Sequence, residues 1–82
     1  MVSAQQVEQY IAAELNCTHL AVEGDGQHFF ATVVSEAFAG KRLLARHRLI
    51  NDIVKTRLLN NEIHALSIVK ALTPDEWAGQ QG

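Results

Sequence analysis

Two histidines are the residues of this chain best suited to chemistry. His64 opens the apolar stretch Ile63-His64-Ala65-Leu66, and His28 follows the polar run Gly24-Asp25-Gly26-Gln27 that leads into Phe29. A neutral imidazole is a common metal ligand. Two of them brought to one place supply half of a metal site. Taken singly, each also has a plain structural reading: a hydrogen-bonded strand-start residue for His64, a solvated turn residue for His28. The choice depends on the elements that position them.

Those elements can be read from local signals. Ser3 followed by Gln6 is a capping-box start, and Val7, Tyr10, Ile11 and Leu15 recur at helical spacing, which predicts a helix over residues 4–15. His19 to Glu23 alternates and reads as a strand, with Leu20 and Val22 on one face. Gly24-Asp25-Gly26-Gln27 is turn chemistry, and the aromatic and β-branched stretch from Phe29 to Ser35 returns as the hairpin partner. Phe38-Ala39-Gly40 breaks the strand. Leu43, His47, Ile50, Val54 and Leu58 fall at spacings of three and four, which predicts a helix over about 46–60, with 41–45 as a separate turn. Asn60-Asn61 ends it. Ile63 to Ala71 reads as a third strand, buried on both faces for much of its length. Thr73-Pro74-Asp75-Glu76 combines an N-cap, a first-turn proline and a capping glutamate, so a short helix carrying Trp77 follows.

The order is α-β-β-α-β-α, an α+β chain. The hairpin makes the second strand antiparallel to the first, and a right-handed helical crossover makes the third parallel to the second. A three-stranded mixed sheet results, with helices mainly on one face. Parallel strands begin at the same end, and neighbours lie about 5 Å apart. His28 and His64 can therefore converge. Cys17 and His19 precede or open the first strand, about 20 Å from the Gly24 turn. Cys17 is thus expected to be a half-buried structural thiol. His47 is expected to be structural or part of the basic face.

Composition sets outer limits. Eighty-two residues with 48% hydrophobic content predict one domain over 1–82, ordered over about 3–78, with a small core. The single cysteine cannot form an internal disulfide. No Lys or Arg precedes residue 41 and no apolar run reaches membrane-spanning length, so a soluble cytoplasmic protein is expected. Net charge is −2, but the charges are segregated. Residues 1–40 carry five acids and no Lys or Arg. Residues 41–57 carry Lys41, Arg42, Arg46, Arg48, Lys55 and Arg57 against Asp52. Such a block suits phosphate or an acidic partner surface, or simply solvates a helix.

Five motifs in order resemble the BolA family: Gly24-Asp25-Gly26-Gln27-His28-Phe29, Phe38-Ala39-Gly40-Lys41, Arg46-His47-Arg48-Leu49-Ile50, Ile63-His64-Ala65-Leu66 and Thr73-Pro74-Asp75-Glu76-Trp77. The resemblance runs over roughly residues 5–78. It implies an αββαβα fold often compared with class II KH domains. It also implies partnership with a monothiol glutaredoxin and its glutathione around a shared 2Fe–2S cluster, or else DNA binding linked to transcription and morphology. The family's strand-start histidine corresponds to His64 and its hairpin-loop ligand to His28. Some branches place cysteine in the loop; this chain resembles the histidine branch. RNA-binding KH domains clamp the backbone with a GXXG loop, and no such loop occurs here.

Two imidazoles cannot complete a four-ligand cluster, so a partner must supply the rest. An adaptor that shares its cluster is therefore expected, with the isolated chain carrying none and existing as a monomer or weak homodimer. The alternative is a DNA-binding regulator that sets Lys41, Arg42, Arg46, Arg48 and Lys55 against phosphates. No evident cleft pairs two carboxylates and no glycine loop cradles phosphate, so nothing marks an enzyme.

Overall fold

A computed structural model describes residues 3–25, 28–57 and 65–81. Within them the order is α1 (Ala4–Glu14), β1 (His19–Gly24), β2 (His28–Val34), a 3-10 helix (Glu36–Phe38), α2 (Leu43–Arg57), β3 (Ala65–Leu72) and α3 (Pro74–Gln81). The predicted αββαβα order stands, with the 3-10 helix as an addition. Expectations for residues 58–64, including Leu58, the Asn60-Asn61 stop, Ile63 and His64, lie outside the described residues.

Reciprocal caps start the two terminal helices. The Gln6 amide donates to Ser3 Oγ at 3.1 Å while the Ser3 amide donates to Gln6 Oε1 at 2.9 Å. The same exchange links Thr73 and Glu76: the Glu76 amide donates to Thr73 Oγ1 at 3.2 Å, and the Thr73 amide to Glu76 Oε1 at 2.8 Å. Each exchange satisfies amides that the first helical turn leaves without a partner.

The sheet order is β1-β2-β3, with β2 in the centre, antiparallel to β1 and parallel to β3. Alternation sorts the side chains into two faces. The inner face carries Val22, Phe29, Ala31, Val33 and Ala71, with half-buried Leu20, Leu66 and Ile68 packed beside them. Against it lie Val7 and Ile11 of α1, Leu15 just beyond, and Ile50, Ile53 and Val54 of α2. Burying one such side chain contributes about 1.5–3 kcal/mol. This single apolar layer supplies most of the driving force for folding.

Two expectations change. The third strand is not buried on both faces: Ser67 is exposed and Val69 is 57% exposed. Its register with β2 shifts at one point, where Ala31 pairs with Ile68 and Thr32 with Lys70, leaving Val69 as an extra residue. This bulge turns an apolar run into a one-sided strand whose inward residues are Leu66, Ile68 and then Ala71. The second change concerns α2. It begins at Leu43 as one continuous helix after Gly40, whose φ of 77° suits glycine. Leu43, predicted on the buried stripe, is 61% exposed, whereas Arg46 of the same turn is buried.

Candidate functional site

His28 is the first residue of β2, and its Cα partner is Ala65, the first residue of β3. The sequence placed it one residue before the strand; it is within it. The backbone around it is pinned. Its amide donates to Asp25 Oδ1 at 2.9 Å, and the Asp25 amide donates to the His28 carbonyl at 3.2 Å. Across the hairpin, a side chain at Gly24 would collide with the His28 carbonyl oxygen and lie 2.7 Å from Phe29 Cδ1. Only glycine lets β1 approach this closely. The imidazole of His28 is exposed. His64 lies outside the described residues; in the chain it immediately precedes Ala65, His28's partner.

The donor set decides what this end of the sheet can hold. Among the described residues no group of three or more His, Cys, Asp or Glu could hold a metal ion. The exposed His28 imidazole stands on a fixed backbone and is accessible as a donor from outside the chain.

Cys17 and His19 sit at the opposite end, as the topology predicted. His19 pairs with Val34, the last residue of β2, and the Thr18 amide donates to the Val34 carbonyl at 2.9 Å. Six strand steps separate Val34 from His28, about 20 Å. The Cys17 thiol is half-buried and lies 3.5 Å from the Leu15 carbonyl, and burial pushes its pKa up. Burial thus disfavours the thiolate, the form that binds metal. His19 stacks on Trp77 with ring centroids 4.7 Å apart and planes at 18°, and Lys70 Nζ lies 5.6 Å from the same ring. The stack joins residues far apart in sequence, and no local signal foretold it.

The basic segment divides. Lys41, Arg42, Arg48 and Lys55 are exposed, and His47 is half-buried. Arg57 ends α2, and its side chain lies outside the described residues. Arg46 must be taken out of the phosphate- or partner-facing set: it is only 7% exposed. Its guanidinium donates to the Lys41 carbonyl at 2.9 Å and the Ala71 carbonyl at 2.8 Å, and pairs with both Glu76 oxygens at 2.7 and 3.4 Å. It also lies 5.8 Å from the Phe38 ring centroid. A planar five-donor fork can tie α2, β3 and α3 together, and every donor it spends inward is lost to phosphate. The Lys41 amide donates to the Phe38 carbonyl, so the first cations of the segment lie beyond the Val34 end of the sheet, away from His28.

No helix of the described residues is long and apolar enough to cross a membrane. The BolA-like protein family pattern matches residues 3–76. Protein BOLA2 of Arabidopsis thaliana is 47% identical over 81 residues, covering 94% of this chain and 85% of that protein. The DNA-binding transcriptional regulator BolA of Vibrio cholerae is 49% identical over 59 residues, covering 72% of this chain and 54% of that one. The crystal structure of a bol-like protein from Babesia bovis is 36% identical and matches with a TM-score of 0.84, covering 100% of this chain and 96% of that one. Fold, motif order and sequence identity agree, and the chain belongs to the BolA-like protein family.

Proposed function

We propose that this chain is a non-enzymatic cytoplasmic adaptor, monomeric alone, that pairs with a monothiol glutaredoxin. In this reading His28 and His64 co-ligate a 2Fe–2S cluster that the pair carries as cargo for iron–sulfur trafficking or iron regulation. The observation that carries it is the register of the parallel strands, which sets the exposed His28 against Ala65, the residue that follows His64 in the chain. A 2Fe–2S cluster takes four ligands. The glutaredoxin thiolate and the thiolate of its bound glutathione complement two imidazoles. Neutral imidazoles in place of thiolates raise a cluster's potential. They bind only when deprotonated, so the shared cluster loosens in mild acid.

The test is anaerobic reconstitution of the chain with a glutathione-loaded monothiol glutaredoxin, read by visible absorption and circular dichroism. A cluster spectrum in the heterocomplex, and none in the chain alone, is the expected result. Failure of wild-type protein to form a cluster-bearing complex removes the proposal. Cys17→Ser is expected to leave that spectrum intact, with a small stability loss at most. Loss of the cluster signal from a folded Cys17→Ser protein would put the ligands at the wrong end of the sheet.

A second reading rests on the exposed cations of the basic segment and on the name of the Vibrio cholerae relative. Lys41, Arg42, Arg48 and Lys55 would face DNA phosphates, without Arg46. Each contact contributes about −0.9 to the slope of log affinity against log salt, so four give a slope of about −3 to −4. Arg48→Ala is expected to reduce it by about one. We expect weak DNA binding lost by physiological salt, beside glutaredoxin binding that survives it. Sequence-selective DNA binding at physiological salt, with no cluster-dependent partner binding, reverses this order.

A further inference from the structure

The sheet has a second face, and the described residues cover only half of it. At the Val34 end, α3 folds over it: Val34 is fully buried, and Trp77 stacks on His19, Val34's partner. At the other end no described residue covers the face. Phe30 is 48% exposed there, between Glu23 of β1 and Ser67 of β3, and Val69 is exposed farther along β3. Glu23 and Ser67 are exposed as well, and among these four only Glu23 is charged. An exposed aromatic ring between two polar side chains has the arrangement of a binding anchor with a polar rim.

His28 precedes Phe30 by two residues on β2, so strand alternation puts both on this face about 7 Å apart. A stable protein contact covers about 800 Å² on each partner, a patch nearly 30 Å across. A partner that brings sulfur ligands to His28 therefore also covers Phe30. Lys41 and Arg42 lie beyond the opposite end of the sheet, and α2, which carries Arg48 and Lys55, packs on the opposite face. We infer that the thiolate-bearing partner docks on the Phe30 end of the outer sheet face, with Phe30 as its apolar anchor, and not on the basic segment. The inference rests on the cluster-sharing reading and adds to it the surface and its chemistry: the partner meets this chain through an apolar patch beside its own cysteine.

Phe30→Lys and Val69→Lys test this. Both positions are exposed, and far-ultraviolet circular dichroism checks that the fold is kept. The affinity of the chain for glutathione-loaded monothiol glutaredoxin is measured with and without cluster, at physiological salt. Phe30→Lys is expected to weaken binding about tenfold or more, and Val69→Lys less, while the complex that still forms keeps the wild-type visible spectrum. Gln9→Lys, the same charge change on exposed α1, is expected to alter affinity less than twofold. Wild-type affinity in Phe30→Lys, with the cluster complex intact, overturns the docking surface and leaves the cluster reading standing. A larger loss in Arg48→Ala than in Phe30→Lys does the same. A wild-type dimer that Phe30→Lys dissociates gives the face to a second copy and overturns the inference. No cluster complex in wild type removes both readings.

Discussion

Arg46→Ala is expected to lower the melting temperature by about 10 °C or more, the largest stability loss of any single substitution in the basic segment. Its guanidinium reaches into the corner where the start of α2, the end of β3 and the first turn of α3 meet. Truncation leaves the Ala71 carbonyl without this charged donor in a buried setting and cuts the tie to Glu76. Losing a charged donor to a buried acceptor costs about 1.5–3 kcal/mol. In a domain of this size each kcal/mol moves the melting temperature by roughly 4–8 °C. Arg46→Lys should recover little, because a single ammonium cannot replace the fork. Thermal melts followed by circular dichroism settle the point, and a change under about 2 °C would return Arg46 to the surface charges.

The same contact gives stability an acid limb. The Glu76 carboxyl is held below its ordinary pKa by its hydrogen bond from Arg46, then by the Thr73 amide. A depressed carboxylate contributes fully above its unfolded pKa and loses that contribution as pH falls through the lower folded value. Removing Arg46 should therefore flatten the acid side of the stability profile as well as lower it.

His64→Ala is expected to abolish the mixed-ligand cluster with glutaredoxin while leaving the fold intact. His28→Ala should weaken the cluster or shift its spectrum, because water or a free thiol can take the place of an exposed imidazole. The strand register sets His28 against Ala65, the residue after His64, and a 2Fe–2S cluster needs four ligands. Visible absorption and circular dichroism of the reconstituted complex report the outcome. An unchanged spectrum in the His64 variant would remove that residue from the ligand set.

What could be read from the sequence was local. Ser3 with Gln6, and Thr73 with Pro74 and Glu76, announce helix starts because caps work within one turn. Gly24 and Asp25 announce the hairpin, and hairpin plus crossover fix the strand directions. Cys17 could be set apart from His28 for the same reason. What could not be read depends on residues distant in the chain. Arg46 resembles Arg42 and Arg48 in a basic run; Ala71 and Glu76, 25 and 30 residues on and packed against it in the fold, help draw it inward. The side of β3 that faces the core is set by a single extra residue, Val69, which the apolar run Ile68-Val69 does not reveal. Trp77 finds His19 only after α3 has folded back.

That extra residue bears on the behaviour of the chain in concentrated solution. β3 is an outer strand of the sheet, with one side of its backbone turned away from β2. An uninterrupted apolar edge of eight residues would invite another chain to add a strand and begin aggregation. Val69 breaks the regular spacing of amides and carbonyls into a run of four residues and a run of three, and Lys70 places a charge directly after the break. Both runs are shorter than the commonest strand length of about 5–6 residues. The irregularity that aims Ala71 into the core thus also guards the molecule against fibrous self-assembly.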